Sequence, residues 1–259
     1  MSAKAASDPG FASTLARGID ILLCFDATRP VLGNKELAER TGLSRPTVVR
    51  LTHTLTTLGY LRFDAAHAKY RLGAAVLTMA YPMLANMRIR PIARPLMQAA
   101  ALELRGAVSL GTRHLTQMVY VETARYEDKR LFTPDLGAPL PMLTTAIGRA
   151  WLCGAPGDER ATVLNRLRVG DPTEFERWRD DVPRWSAEFE RDGYCASRGA
   201  WRRDIHGFAL PLRGPVDATL FVVNCGVLAG EEPFAAARKR VGPRLMTLAR
   251  SLETLLGLS

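Results

Sequence analysis

The sequence predicts an α+β chain of two unlike parts: a small helical N-terminal domain closed by a β-hairpin, and a larger domain in which helices pack on a sheet. Three observations carry this expectation. Apolar residues recur at helical spacing up to about residue 58, and alternating strand-like runs appear at 60–72 and return after residue 105. The basic excess is densest at the front, with 11 Lys/Arg against 6 Asp/Glu in the first 88 residues and 24 against 20 in the remaining 171. With 259 residues, 47% hydrophobic and 24% charged, the composition is that of a globular chain and excludes disorder and fibrous repeats. The formal net charge of +9 points to an anionic partner, nucleic acid or membrane.

Other classes are excluded by spacing. Cys24, Cys153, Cys195 and Cys225 form no CxxC pair, and His53, His67, His114 and His206 lie far from them, so no zinc site is expected. The most apolar stretch, Leu72 to Met87, is shorter than the roughly 20 residues of a bilayer span and contains Pro82 and Asn86. Met1 to Gly10 lacks the apolar core of a secretory signal. The expectation is a cytoplasmic protein with reduced thiols, no membrane contact, no metal and no cofactor.

In chain order, Leu15, Ile19, Ile21, Leu22 and Leu23 predict a first helix over 11–27, ended by Arg29-Pro30 and Leu32-Gly33. Asn34 is placed to cap a second helix over 35–40, and Thr41-Gly42 breaks it before Ser44 starts a third reaching about Leu58. The tight turn, with a Gly that permits positive φ, and the apolar Leu37, Leu43, Val48 and Leu51 around it have helix-turn-helix spacing. Tyr60–Phe63 and Lys69–Leu72 read as a hairpin around a polar tip, a wing beside the third helix. Val76 to Met83 continues as an apolar helix, here assigned as a linker over 74–89, which serves as a subunit seam or as internal core; a seam is favoured because a small DNA reader pairs to span two half-sites.

From residue 90 to 259 the pattern is mixed. A helix over 91–105 precedes two alternating runs at 108–112 and 118–122. Helical segments are expected at 144–153, 159–168 and 173–191, strands at 205–212 and 218–225, and a last helix over 233–256 bent at Gly242-Pro243. The domains are therefore 1–73, the linker 74–89, and 90–259.

On the third helix Val48, Leu51, Leu55 and Leu58 share one face, leaving Arg45, Pro46, Val49, Arg50, His53 and Thr57 outside. A basic face with apolar and hydroxyl side chains suits a major groove. Arg45 or Arg50 is placed for a bidentate contact to guanine and Val49 for a thymine methyl, while Ser44 and Thr47 at the helix start suit a phosphate. His53 faces either a groove or a phosphate. Arg62, Lys69 and Arg71 on the wing add phosphate neutralisation, with Asp64 the only acid between Arg45 and Arg71.

The chain also resembles a family. The segments Leu15-Ala16-Arg17-Gly18-Ile19-Asp20-Ile21-Leu22, Glu36 to Leu51, Leu58-Gly59-Tyr60-Leu61 and Tyr70-Arg71-Leu72-Gly73 are together similar to the IclR-type bacterial transcriptional regulators, named for the isocitrate lyase regulator. The likeness continues in Leu140 to Ala150, Gly193-Tyr194, Ala209-Leu210-Pro211-Leu212 and Asn224-Cys225-Gly226, nearly the whole chain. The resemblance implies a winged helix-turn-helix, a linker helix and a GAF-like α/β effector-binding domain, in a homodimer or tetramer that binds near-palindromic double-stranded promoter DNA and answers to a small molecule, commonly of a catabolic pathway. Carried over by position, it nominates Thr144, Thr145, Ala146, Ile147, Ser197, Arg198, Gly207, Val223 and Cys225 as effector-binding.

Hydroxyls and N–H groups at a helix start suit a carboxylate at Thr144-Thr145, although threonines there also serve as plain caps. The chain departs from the family in Cys195-Ala196-Ser197-Arg198-Gly199, where many members are acidic, and at Val223 and Cys225, where small polar residues are common. The expected effector is an aromatic or other small carboxylic acid, paired with Arg198 and resting on Val223, Phe208, Phe221 and Trp201, each of which also reads as core. No GxSxG, GxGxxG, P-loop or HExxH is present, so no catalytic residue is expected. The alternative is a DNA-binding protein without effector control, or an enzyme using the C-terminal domain.

Overall fold

The structure is a computed structural model and describes residues 10–126 and 134–258. The reading of Met1 to Gly10 lies, but for Gly10, outside them. The chain divides into two compact units, 1–86 and 87–259.

The first unit contains α1 (Ser13–Leu22), α2 (Asn34–Thr41), α3 (Arg45–Thr57), β1 (Leu61–Asp64), β2 (Lys69–Leu72) and α4 (Ala75–Ala85). Helix α1 ends five residues before the expected Ala27 because the Asp26 carboxylate accepts the backbone N–H groups of Thr28 and Arg29 at 2.8 and 2.9 Å, folding the chain into a turn. Only Gly18 and Ile21 of α1 are buried; Leu15, Ile19 and Leu23, expected on the core stripe, are exposed. Helix α2 is capped by Glu36 rather than Asn34: its carboxylate reaches back to the Gly33 N–H at 2.7 Å. Gly42, at φ 68°, ends α2 in the left-handed region that costs glycine nothing, and Pro46 opens the first turn of α3.

Ile21, Leu37, Val48, Leu51, Leu55, Leu61 and Tyr70 form the core of this unit. Leu58, expected on that face, lies beyond the end of α3 and is exposed. Thr52 instead is fully buried, its hydroxyl 3.3 Å from both the Asn34 side chain and the Tyr70 hydroxyl, so one polar residue joins α2, α3 and the wing. The wing is an antiparallel β1–β2 pair with Arg62 opposite Arg71 and Phe63 opposite Tyr70, extended by reciprocal backbone bonds between Leu32 and Tyr70. Helix α4 buries no residue and exposes Leu77, Met79, Tyr81 and Met83.

The second unit contains α5 (Ile89–Leu104), β3 (Ala107–His114), β4 (Gln117–Arg125), β5 (Pro139–Pro141), α6 (Ala146–Gly154), α7 (Gly157–Gly170), α8 (Pro172–Trp178), α9 (Val182–Asp192), β6 (Cys195–Arg198), β7 (Ile205–Pro211), β8 (Phe221–Leu228) and α10 (Phe234–Leu256). The six strands form one antiparallel sheet in the order β5-β4-β3-β8-β7-β6. Phe208 on β7 stacks on Phe234 of α10, whereas its neighbour Gly207 meets Ala146 of α6, so α10 and α6 cover opposite faces.

Two expectations change here. The helix expected over 173–191 is two, α8 and α9, joined by a 3-10 turn at Arg179–Asp181, because Pro183 in the first turn of α9 has no N–H to continue a ladder. Strands β5 and β6 were not anticipated: at three and four residues they are too short to show alternation. Helix α10 is one element with Pro243 inside it, as the expected last helix over 233–256 has it. No helix among the described residues is long and apolar enough to cross a membrane.

Candidate functional site

On α3 the structure keeps Arg45, Val49, Arg50 and His53 at the surface on one side while Val48, Leu51 and Leu55 point inward. Val49 is 49% exposed, an apolar side chain held in solvent between arginines. Ser44 and Thr47 share a hydroxyl hydrogen bond of 2.9 Å at the helix start. On the wing, Arg62 and Arg71 are exposed and directly opposed, so their guanidinium groups repel unless an anion lies between them. Lys69 differs from them: its ammonium lies 3.3 Å from the Glu36 carboxylate. Asp64 is occupied at the tip by His67 at 2.9 Å, a hydrogen bond that holds its carboxyl below the ordinary range.

In the second unit a cavity of about 40 Å³ lies under the start of α6. Leu140, Ala146, Trp201 and Ile205 give it apolar wall, and Tyr120, Thr145, Ser197, Arg202 and Asn224 give it polar groups. Gly207 has no Cβ because one would lie 3.2 Å from that of Ala146, and this lets the helix start come down onto β7.

The polar groups are fixed by one another. Thr145 donates to the Pro141 carbonyl at 2.6 Å and accepts the Gly148 N–H at 3.2 Å, so its hydroxyl caps α6. With Gly148 N–H taken by Thr145, the helix start that lines the cavity at Thr145 and Ala146 carries the partial positive charge of a helix N-terminus. Ser197 donates to the Thr144 carbonyl at 2.8 Å. Asn224 donates to the Tyr120 hydroxyl at 3.0 Å, and burial pushes that phenol up so that it stays protonated. Arg202 pairs with Asp204, its Nε 3.1 Å from the carboxylate.

Of the nine nominated effector residues, Thr145, Ala146, Ser197 and Gly207 line the cavity and five do not. Val223 and Cys225 are displaced by the two-residue period of β8: Asn224 and Gly226 face the cavity, while Cys225 pairs with Phe208 on the α10 face. The same period on β6 turns Ser197 inward and sends Arg198 to the other side, its guanidinium over the Phe234 ring at 5.9 Å. Phe208 and Phe221 are core, and Trp201 alone of the four expected apolar contacts lines the cavity. Ile147 packs against Gly111, and the buried Thr144 hydroxyl finds no partner.

The sequence reading missed Arg202, Asn224 and Tyr120, and also Arg149. Arg149 is buried in α6, donating to the carbonyls of Leu143 and Ala196 at 3.0 Å each, with its guanidinium 4.4 Å from the Trp185 ring and 5.3 Å from Trp178. Burial lowers its pKa to about 10, which leaves it charged at neutral pH. Among the described residues no three His, Cys, Asp or Glu side chains gather as a metal site would require.

A winged helix-turn-helix with an open basic face, on the same chain as an α/β unit holding a polar-walled cavity, defines the class: a DNA-binding transcriptional regulator. Comparison with known proteins gives the family. Residues 14–65 match the IclR helix-turn-helix domain and residues 81–224 match the bacterial transcriptional regulator IclR C-terminal domain. The chain is 32% identical to the HTH-type transcriptional regulator TsaQ1/TsaQ2 of Comamonas testosteroni over 249 residues, 95% of this chain and 89% of the relative. It is 38% identical to an IclR family transcriptional regulator from Brucella abortus whose crystal structure superposes with a TM-score of 0.86, covering 96% of this chain and 94% of that one. A crystal structure of an IclR homolog complexed with 4-hydroxybenzoate, from Microbacterium hydrocarbonoxydans, shares the fold at TM-score 0.71 and 22% identity, over 95% of this chain and 100% of that one. The chain belongs to the IclR family of bacterial transcriptional regulators.

Proposed function

We propose that this regulator places α3 in the major groove of a near-palindromic operator, with Arg45 and Arg50 reading guanine edges, Val49 meeting a thymine methyl and His53 at the groove wall. Ser44 and Thr47 hold a phosphate at the helix start, and Arg62 and Arg71 hold another on the wing; Lys69 acts mainly by fixing the wing to Glu36. The exposed Leu77, Met79, Tyr81 and Met83 of α4 support pairing of two chains, which gives the two half-sites a matching symmetry.

The effector is a small carboxylic acid, aromatic in preference. The observation that carries this is the cavity: Arg202 and the start of α6 supply positive potential, Ser197, Asn224 and Tyr120 supply hydrogen bonds, and Trp201 with Leu140 supplies apolar wall. The 4-hydroxybenzoate-bound homolog shares the scaffold. At about 40 Å³ the cavity is smaller than an aromatic acid, so binding one displaces residues that line it. Such a displacement is what makes binding a signal, because an effector acts only through states it binds unequally.

Thermal unfolding against a panel of aliphatic and aromatic carboxylic acids tests the reading, with each compound recovered afterwards. A ligand at 100 times its Kd stabilises by about 2.7 kcal/mol. A hit recovered unchanged supports an effector; a hit consumed points to an enzyme. No hit removes the carboxylate reading and leaves the DNA reading intact.

A further inference from the structure

The Sγ atoms of Cys153 and Cys195 lie 3.6 Å apart, although 42 residues separate them in sequence. Cys153 sits in the last turn of α6 and is partly open to solvent, and Cys195 is the buried first residue of β6. All four cysteines are free thiols, and the other two are placed differently: Cys24 lies in the first unit, its thiol donating to the Asp20 carbonyl, and Cys225 is buried on the α10 face of the sheet.

We propose that Cys153 and Cys195 form a redox modification site that takes hydroperoxides and closes to an intramolecular disulfide. The two thiols have different chemistry. Cys195 donates its S–H to the Cys153 sulfur, which together with nearby Ser186 and Arg160 draws the Cys153 thiol down; the same bond and burial push Cys195 up. Cys153, the one of the two that is partly open to solvent, is therefore the attacking thiol and the buried Cys195 the resolving thiol. In the first step the Cys153 thiolate attacks the terminal oxygen of ROOH: the S–O bond forms, the O–O bond breaks, and the alkoxide takes up a proton and leaves as ROH. In the second the Cys195 sulfur attacks the Cys153 sulfenic acid; the S–S bond forms, the S–O bond breaks, and hydroxide leaves as water with the Cys195 proton. Two thiols and one hydroperoxide thus become one disulfide, one alcohol and one water.

Closing the gap to a covalent bond draws the sulfurs together by about 1.5 Å. The two elements tied are the ones that hold the cavity, since Thr145 and Ala146 start α6 and Ser197 lies two residues after Cys195. Arg149, from α6 to the Ala196 carbonyl, already couples them by a hydrogen bond. In this respect the inference builds on the effector cavity, but the disulfide itself stands without it.

The test treats the full-length protein with a slight molar excess of cumene hydroperoxide and maps thiols by mass spectrometry under non-reducing conditions. The expected result is a Cys153–Cys195 cross-link with loss of two hydrogens, formed about tenfold or more faster than any change at Cys24 or Cys225, and reversed by dithiothreitol. Cys195→Ala leaves a Cys153 sulfenic acid trapped by dimedone, whereas Cys153→Ser leaves Cys195 a thiol. The oxidised wild type unfolds several degrees higher than the reduced one, as expected for a closed 42-residue loop. Cys153 and Cys195 unchanged after hours, oxidation equal at all four cysteines, or a disulfide only between chains overturns the proposal. The wild-type map needs no variant, so a variant that fails to fold leaves the test intact. Failure of every carboxylic acid to bind leaves the cross-link result unaffected, so the two readings fail separately.

Discussion

Arg62 and Arg71 stand directly opposite each other on the wing, two cations in one cross-strand pair. A pair of this kind costs the free protein some stability and is relieved when a phosphate enters. Arg62→Gln and Arg71→Gln should each weaken binding to operator and random DNA alike and lower the salt slope by about one. A titration over salt concentration reads both; an unchanged slope would remove the phosphate from the wing.

Arg50→Ala should behave otherwise. Its loss is expected to cost about 1–3 kcal/mol at one base pair while leaving non-specific affinity nearly unchanged. The side chain is exposed, so the thermal midpoint should not move. Discrimination retained in full at every position of the operator would exclude Arg50 from base readout.

Arg202 and Arg198 separate the structural assignment of the acid-binding cation from the positional one. Arg202→Ala should weaken a carboxylate ligand by about 1.5–3 kcal/mol, as loss of a charge-assisted hydrogen bond does. Arg198→Ala should leave affinity unchanged, because its guanidinium lies over Phe234 on the other face. Calorimetry on the two variants decides, and the reverse pattern would move the ligand out of the cavity.

Thr52→Val keeps the shape of a buried side chain but removes the hydroxyl that joins Asn34, α3 and Tyr70. The first unit should lose about 1 kcal/mol. Since Thr52 faces inward, DNA affinity measured well below the new midpoint should be preserved.

Glu36 gives a pH dependence of known sign. The Gly33 N–H, then Lys69, holds its folded pKa below the ordinary 4.5, so its contribution is complete above that value and fades as pH falls through the lower folded one. Glu36→Gln still accepts the Gly33 N–H and should flatten this acid limb of the stability curve while leaving the helix start formed. An identical acid limb in both proteins would assign it to Asp26 or Asp64, whose carboxyls are shifted the same way.

The DNA-reading half was legible because each of its signals is local. Gly42, Val48 and Leu51 lie within one turn and one helix, and a helix face is fixed by spacing alone. The cavity was legible only in part, since its residues come from strands whose faces alternate: Ser197 and Gly207 line it, whereas Val223 and Cys225 lie one position away from the lining Asn224 and Gly226. Asn224 and Tyr120 meet only because β8 and β4 flank β3, a pairing that no local pattern contains. Arg202 was hidden for another reason: it lies in the turn between β6 and β7, and β6 was not anticipated.

The strand order also sets a timetable for synthesis. All core residues of the reader unit lie between Ile21 and Tyr70, so it can close on the ribosome while most of the chain is unmade. The central pair of the sensor sheet, β3 with β8, aligns Val108 with Cys225, and until β8 emerges the remaining strands are two separate fragments, β5-β4-β3 and β7-β6. The contact that unites them is the last to become available and closes a loop of more than a hundred residues, a slow step with exposed strand edges. A nascent chain stopped before β8 would therefore be able to fold its reader and unable to assemble its sensor.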